Sequence, residues 1–212
     1  MTIPNLISHY QKESTATQLK ETYSTIAQAV RMSEAENEEV AGWNFADVNG
    51  IVVFDKYLAP YLKCTKKMIG AGAIKYYKPN GQRETNLAIM SGGAGVYTLL
   101  SGVQIIVGNG VVTSDSAKNI AGRMLMIDLN GYDTKPNRIG RDTFFMYLTI
   151  ANGFVMHYSN DREYGRIQRT RKQLKDGPSN ENYQCNYMGR GIWCGALIQR
   201  DGWKISDDYP WK

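Results

Sequence analysis

The sequence is short of the residues that most enzymes use for chemistry. It has two histidines and three cysteines among 212 residues, and it contains no Gly-x-Ser-x-Gly, His-Glu-x-x-His or phosphate-loop pattern. Gly70-Ala-Gly72 and Gly93-Ala-Gly95 lack the third glycine of a dinucleotide fingerprint, so we interpret them as turns. His9 and His157 fall in predicted regular elements, where a structural histidine is commoner than a catalytic one. These absences predict a protein that is not an enzyme and has no cofactor.

Long hydrophobic runs and a strong charge bias are also missing. No stretch approaches the roughly 18 consecutive apolar residues that span a bilayer. The net charge of +5 is too mild to indicate a nucleic-acid binder by itself. With 42% hydrophobic residues and 21 glycines, the composition is that of a folded chain with many turns. Its length suits one domain with a substantial core.

An amphipathic pattern opens the chain and predicts a helix from Thr2 to about Ser33. Its apolar residues recur in steps of three and four: Ile3, Leu6, Ile7, Tyr10, Leu19, Tyr23, Ile26, Ala27 and Val30. The acidic residues between positions 34 and 39 have the wrong sign for a helix C-terminus, so the helix is expected to stop there. Such a helix runs roughly 45–50 Å, longer than a globule of this size is wide. We therefore expect the N-terminal turns to protrude and the residues from Tyr23 to Val30 to be buried; the alternative is an ordinary long core helix.

Further along, the sequence predicts a second helix and then an antiparallel sheet. Residues 51–66 form the predicted helix, bent or split by Pro60. Strands are predicted at 96–100, 103–107, 123–127, 143–151 and 154–158, with a weaker candidate at 70–78. Asn-Gly pairs beginning at positions 49, 80, 109, 130 and 152 predict tight turns between antiparallel strands.

These elements predict an α+β fold, with a long N-terminal helix packed on an antiparallel sheet of about four strands. We expect a single domain over residues 1–212. Within it, residues 1–35 are the helix, 36–90 a helical or irregular insertion, 91–160 the sheet and 161–212 the C-terminal region.

The most distinctive segment runs from position 127 to position 144. Asp128, Asn130 and Asp133 offer oxygen ligands at a spacing similar to that of a calcium loop. No acidic residue occupies the twelfth position, however, and the glycine comes too early. A tight turn held by side chains bonded to their own backbone is therefore the preferred interpretation over a calcium site. We predict that the carboxylates of Asp128 and Asp142 accept backbone N–H groups without a metal.

A basic segment spans residues 162–175. Its members are Arg162, Arg166, Arg169, Arg171, Lys172 and Lys175. Together with Tyr164 they could contact the phosphates of DNA. Few aromatic residues are available to stack on bases, so a solvated surface is the preferred interpretation and DNA capture is the alternative.

Three separate motifs resemble type IV pilin-like subunits and the related pseudopilins of type II secretion systems. The first is the N-terminal run from Met1-Thr-Ile-Pro-Asn-Leu-Ile-Ser-His-Tyr into the amphipathic stretch that ends near Val30. The second is a loop whose matching positions are Asp128, Asn130, Gly131, Pro136, Asn137, Gly140, Asp142 and Phe144. The third is the tail, with Cys194-Gly-Ala-Leu-Ile and Asp201-Gly-Trp-Lys-Ile-Ser-Asp-Asp-Tyr-Pro-Trp. Residues 40–120 match nothing specific.

In that family a glycine-ended leader precedes an apolar helix, which continues through a proline as the amphipathic spine of a globular head. Pro4 matches that proline and the stretch from Leu6 to Val30 matches the head-facing half. The resemblance therefore implies a chain cut just before Pro4. It also implies that Ile3, Pro4, Leu6, Ile7 and Tyr10 contact other subunits.

The function implied by the resemblance is that of a structural subunit of a type IV pilus or related filament. Its partners would be other copies of itself, related pilin-like subunits and, through the missing apolar helix, the membrane. Its location would be a cell-surface filament, anchored in the inner membrane before assembly. A pseudopilin of a type II secretion system is the alternative within the class. A DNA-capturing surface protein and, last, a hydrolase are the alternatives outside it.

Two of the cysteines, Cys185 and Cys194, are close together in a turn-rich region, which makes a local disulfide and an exported location plausible. The pilin-like family ties its C-terminal region in this way, and the resemblance implies this pairing. Cys64 would then be left over, as a small buried side chain.

Overall fold

The computed structural model describes residues 3–45, 49–70, 72–87, 92–108, 122–150, 153–157, 169–178 and 182–211. Its regular elements, in chain order, are α1 (Ile3–Asn37), α2 (Gly50–Tyr57), β1 (Cys64–Ile69), β2 (Tyr76–Tyr77), β3 (Arg83–Glu84), β4 (Ala94–Leu99), β5 (Gln104–Gly108), β6 (Gly122–Asp128), β7 (Thr143–Thr149), β8 (Gly153–Met156), α3 (Arg171–Asp176) and α4 (Cys194–Arg200). The fold is α+β, as the sequence predicts.

Helix α1 is 35 residues long, which corresponds to about 50 Å at about 1.5 Å per residue. It continues about a turn beyond the predicted end near Ser33. Ser33 is itself buried, and the last turn is held by a contact with another part of the chain. Asn37 donates from its side-chain nitrogen to the Tyr61 hydroxyl, at 3.0 Å. The helix ends where Glu38 adopts a positive φ of 67°. Among the described residues, no helix has both the length and the apolar character needed to cross a membrane.

The predicted helix over residues 51–66 is correct only for its first half. Helix α2 ends at Tyr57 and a 3₁₀ turn follows at Ala59–Tyr61. Pro60 lies in that turn, and since proline cannot continue a helix, the chain leaves the helix there. Residues 64–66, expected to be helical, instead begin strand β1.

The main sheet has six strands in the order β1-β4-β5-β6-β7-β8, and every pair in it is antiparallel. The expectation of about four strands was therefore too low. The unforeseen strand is β1, which lies at an edge and pairs Cys64 with Leu99 of β4. Residues 70–78 contribute only the short strand β2, which pairs with β3 in a separate hairpin.

The two faces of the sheet are covered by different parts of the chain. On one face, Phe54 of α2 packs on Tyr97 of β4 with ring centroids 4.2 Å apart. Tyr23 of α1 stacks on Phe154 of β8 at 5.0 Å on the same side. The other face carries Asp128 of β6, which meets the β2–β3 hairpin. Every residue of β7 is buried, which shows that this strand is covered on both faces.

The Asn-Gly pairs do not all serve as hairpin turns. Gly81, with φ of 86°, lies in the turn that joins β2 and β3, as predicted. Asn49 instead caps α2, where its side-chain oxygen accepts the N–H of Val52. Gly131 lies in the long loop of residues 129–142 between β6 and β7. The β7–β8 hairpin is present and Gly153 has a φ of 62°; Asn109, Gly110 and Asn152 lie outside the described residues.

Candidate functional site

The first turns of α1 carry large apolar side chains that face solvent. The exposed fractions are 76% for Ile3, 57% for Leu6, 52% for Ile7 and 70% for Tyr10. Their spacing places them along one side of the helix. Pro4 lies in the first turn, where a backbone N–H has no intrahelical partner to lose. We call Ile3, Leu6, Ile7 and Tyr10 the N-terminal stripe.

The same helix enters the head within two turns of the stripe. Gln11 accepts from Arg141 at 3.5 Å, and Lys12 pairs with Asp207, also at 3.5 Å. From Ala16 onwards, the inward positions are buried, with Leu19 and Ile26 fully enclosed. Ile26 and Val30 are buried as predicted, whereas Tyr23 and Ala27 are half-buried. The helix is therefore fixed to the head by its second half and leaves the N-terminal stripe uncovered.

The loop of residues 129–142 is organised by Asp142. One carboxylate oxygen accepts the N–H of Asn137 at 2.9 Å, and the other accepts the N–H of Arg138 at 2.5 Å. The side chain of Asn137 donates to the carbonyl of Tyr132 at 2.7 Å. Burial raises the pKa of Asp142, and these hydrogen bonds oppose that rise.

Asp128 lies at the base of the same loop and is completely buried. The hydroxyl of Tyr76 on β2 approaches one of its oxygens at 3.5 Å, a contact that the sequence pattern did not reveal. Burial, followed by the neighbouring charge of Asp142, raises the pKa of Asp128 to about 7. The N–H groups of Asn130 and Gly131 lie close enough to oppose this rise.

The residues of the considered calcium loop differ in their surroundings. Asn130 and Asp133 are exposed, whereas Asp128 is buried. The side-chain nitrogen of Asn130 donates to the carbonyl of Lys135 at 3.4 Å. Within the described part of the chain, no group of three or more His, Cys, Asp or Glu residues is placed to hold a metal ion.

A disulfide joins Cys185 and Cys194, the predicted pair, with an S–S distance of 2.02 Å. It lies directly against the 129–142 loop: a Cβ on Gly140 would come within 2.8 Å of the Cys194 sulfur. Gly140 also has a φ of 84°, so glycine is required there for two reasons. The hydroxyl of Tyr209 donates to the Gly140 carbonyl and adds the C-terminal tail to this junction. The third cysteine, Cys64, is half-buried on the edge strand.

The described half of the basic segment is largely occupied within the protein. Arg171 forms ion pairs with Asp201 and Asp208, both at 2.7 Å, and Lys175 pairs with Asp208 at 2.5 Å. These contacts raise the pKa of Arg171 and lower that of Asp208. Arg169 is buried, with its guanidinium 4.3 Å from the ring centroid of Trp193. Lys172 is exposed, and Arg162 and Arg166 lie outside the described residues.

The two histidines occupy contrasting positions. His9 lies on the exposed first turns of α1, 3.3 Å from Glu13. His157 is buried and meets the rings of Tyr147 and Tyr183 edge-on, at 4.7 and 5.5 Å.

A groove that sequence reasoning missed lies beside α1. Its volume is about 360 Å³, and its walls come from α1, the segment after the 3₁₀ turn and the β4–β5 turn. Gln18, Thr22, Leu62, Lys63 and Leu100 are among its lining residues. Because these segments are distant in sequence, no local pattern could have revealed it.

The comparisons with known proteins give one result. A model for a family of unknown function, DUF6613, matches residues 5–212, so the chain belongs to that family. No curated protein and no solved structure matches the chain.

Proposed function

We propose that this member of the DUF6613 family is a structural subunit of a type IV pilus or a related filament and that it assembles through α1. The observation that carries the proposal is the N-terminal stripe, left in water on a helix whose second half is locked into the head. An apolar side chain that is fully buried contributes roughly 1.5–3 kcal/mol relative to an exposed one. Covering four such side chains is therefore a substantial driving force for association.

The arrangement of the head supports the same proposal. A long N-terminal helix over an antiparallel sheet, with a disulfide in the C-terminal region, is what the pilin resemblance implies. The sheet has six strands, more than the four or so that the sequence pattern predicted. In this proposal, the partner of the stripe is the equivalent helix of another subunit, and the filament is displayed on the cell surface after the subunit leaves the membrane.

The experiment compares two charged variants of the full-length protein in its own host. Leu6→Glu places a charge in the N-terminal stripe, whereas Asn5→Glu places the same charge one residue away, on a neighbouring side of the exposed helix. Leu6→Glu should abolish filaments seen by electron microscopy, and Asn5→Glu should retain them. Both heads should melt at the wild-type temperature, because neither position is buried. Wild-type assembly by Leu6→Glu, or a head unfolded by it, would contradict the proposal.

A pseudopilin of a type II secretion system is the second candidate, since it would use the same stripe. Deleting the gene separates the two: loss of surface filaments supports the pilus assignment, and loss of protein export with filaments intact supports the pseudopilin. DNA capture by residues 162–175 is less favoured, because Arg171 and Lys175 are already paired with acidic residues of the same chain.

A further inference from the structure

Two aspartates lie close together inside the protein, under the β2–β3 hairpin. Asp128 is 0% exposed and Asp142 is 6% exposed. Burial opposes the ionisation of both carboxyl groups, and the charge of Asp142 further opposes that of Asp128. Two carboxylates in such surroundings do not both ionise readily, so one of them is expected to hold a proton at pH values where exposed aspartates are charged.

Hydrogen bonding distinguishes the two carboxyl groups. Asp142 accepts two backbone N–H groups, from Asn137 and Arg138, and lies 3.3 Å from the hydroxyl of Thr143. Such donors stabilise a carboxylate in its charged form. Asp128 has the backbone N–H groups of Asn130 and Gly131 nearby and a long contact of its Oδ2 with Tyr76, but its Oδ1 has no hydrogen-bond partner among the described residues. Asp142 is therefore the group that keeps its charge.

A second acceptor in the same loop is also unpartnered. Asn137 is 8% exposed, and its side-chain oxygen has no donor in the described part of the chain. Its side-chain nitrogen is already used, because it donates to Tyr132. Two buried acceptor oxygens, on Asp128 and Asn137, therefore have no hydrogen-bond donor in the described part of the chain. A proton on Asp128 turns one acceptor into a donor and removes the buried charge at the same time.

A bound cation would also neutralise the charge, but the ligands do not favour it. A calcium ion takes about six to eight oxygen ligands. Both oxygens of Asp142 face N–H donors instead. Asn130 and Asp133, the other acceptors of the sequence pattern, are exposed. Adding a proton to Asp128 is a smaller change than binding a cation, and it leaves the N–H groups that donate to Asp142 in place.

We propose that Asp128 is a protonated carboxylic acid in the folded protein at mildly acidic to neutral pH, and that loss of this proton loosens the 129–142 loop and the hairpin resting on it. The titratable groups that face Asp128 are Asp142 in the loop and Tyr76 on β2. The neighbouring strands β5 and β7 place uncharged residues opposite it, Gln104 and Thr143.

The sign of the pH effect follows from the direction of the shift. Burial raises the pKa of Asp128 from 3.8 to about 7 in the folded state, so the folded protein binds this proton more tightly than the unfolded chain does. Its contribution to stability is complete below pH of about 4 and is lost as the pH rises to about 7. Tyr76 contacts Asp128, and Tyr77 exchanges backbone hydrogen bonds with the loop at Asn137 and Ile139. The β2–β3 hairpin is therefore the element that should loosen first when Asp128 loses its proton.

The test is the unfolding equilibrium of the wild type and of Asp128→Asn, measured by denaturant titration from pH 4 to 9. Asparagine keeps the size and can donate, but it cannot ionise. The ratio of the wild-type unfolding constant to that of the variant should rise about tenfold per pH unit up to pH of about 7 and then level off. Asp133→Asn, an exposed change in the same loop, should follow the wild type. A ratio that does not change with pH would overturn the proposal.

Two measurements on the wild type do not depend on the stability of a variant. The carboxyl carbon of Asp128, followed by NMR, should titrate with a midpoint near pH 7, and a midpoint below pH 5 would overturn the proposal. The melting temperature at neutral pH should not change with added calcium chloride. A calcium-dependent rise that disappears in Asp128→Asn would overturn the proposal in favour of a cation site.

Discussion

The two halves of α1 have the same periodicity and opposite surroundings. Residues from Ala16 to Ser33 place their inward side chains against the sheet and the C-terminal region, and Leu19 and Ile26 are fully enclosed there. Residues 3–10 repeat the apolar spacing, but Ile3 and Leu6 face solvent. A helical stripe of apolar residues thus shows which side of a helix needs cover, and does not show whether the cover comes from the same chain. Only cover that comes from the same chain contributes to the stability of the isolated head.

Part of the cover over α1 comes from the far end of the chain. Tyr23 lies 5.5 Å from Trp203, and Lys12 pairs with Asp207. The disulfide and Tyr209 hold this C-terminal region against the loop before β7. Near the boundary between the two halves, α1 contacts this C-terminal region through Lys12 and the 129–142 loop through Gln11.

The largest difference between the two halves should come from truncating one leucine in each. Leu19→Ala removes a fully enclosed side chain and should lower the free energy of unfolding by about 2–5 kcal/mol. For a chain of this length the melting temperature should fall by roughly 5–15 °C. Leu6→Ala should change stability by less than about 0.5 kcal/mol, because Leu6 is already solvated. Similar losses from both variants, measured by calorimetry, would remove the distinction between the halves.

Removing the disulfide should weaken the cover of the second half without affecting the first. The closed segment is short, with a separation of 9 residues, so Cys185→Ser together with Cys194→Ser should cost about 2–3 kcal/mol. Hydrogen exchange should quicken in α4 and in the second half of α1, while residues 3–10 exchange as in the wild type. Unchanged exchange throughout α1 would show that the C-terminal region does not hold the helix. Cys64→Ser serves as the control.

A matched pair of tyrosines should sharpen the comparison with a smaller effect. Tyr23 contacts the rings of Phe154 and Trp203, so Tyr23→Leu should lose about 0.5–1.5 kcal/mol of aromatic packing. Tyr10→Leu, in the N-terminal stripe, should leave the head's stability unchanged. Chemical denaturation of both variants measures the difference. Equal stabilities for the two would mean that these ring contacts add nothing to the head.

The smallest effect is expected at the boundary itself. Lys12→Gln removes the pair with Asp207, whose carboxylate is fully exposed, so the change should be less than about 0.5 kcal/mol. High salt should erase even that difference, because exposed ion pairs are screened. A salt-independent loss would mean that the stem of Lys12 stabilises the head by packing rather than by charge.

Sequence patterns predicted the elements whose cues are local. The helical period of α1 and the closeness of Cys185 to Cys194 could be read along the chain, and both features are present. Strand β1 was missed because Cys64–Ile69 has only its two ends half-buried, with the residues between them exposed. Its pairing with β4, some thirty residues away, is what makes it a strand. Asn49 is a second case in which the local pattern was misleading: an Asn-Gly pair is typical of hairpins, but this asparagine caps helix α2.

The sequence by itself indicated that α1 is a helix with an apolar side, that β4 to β8 form antiparallel strands and that Cys185 and Cys194 are close enough along the chain for a local disulfide. These features rest on backbone geometry and on contacts between near neighbours. Only the tertiary structure decided that Asp128 meets Tyr76, 52 positions away, and that the apolar side of α1 is covered from Ala16 onwards but not at Ile3, Leu6, Ile7 and Tyr10. Burial of this kind depends on which distant segments of the chain pack against a given side chain. A local periodic pattern carries no information about that packing.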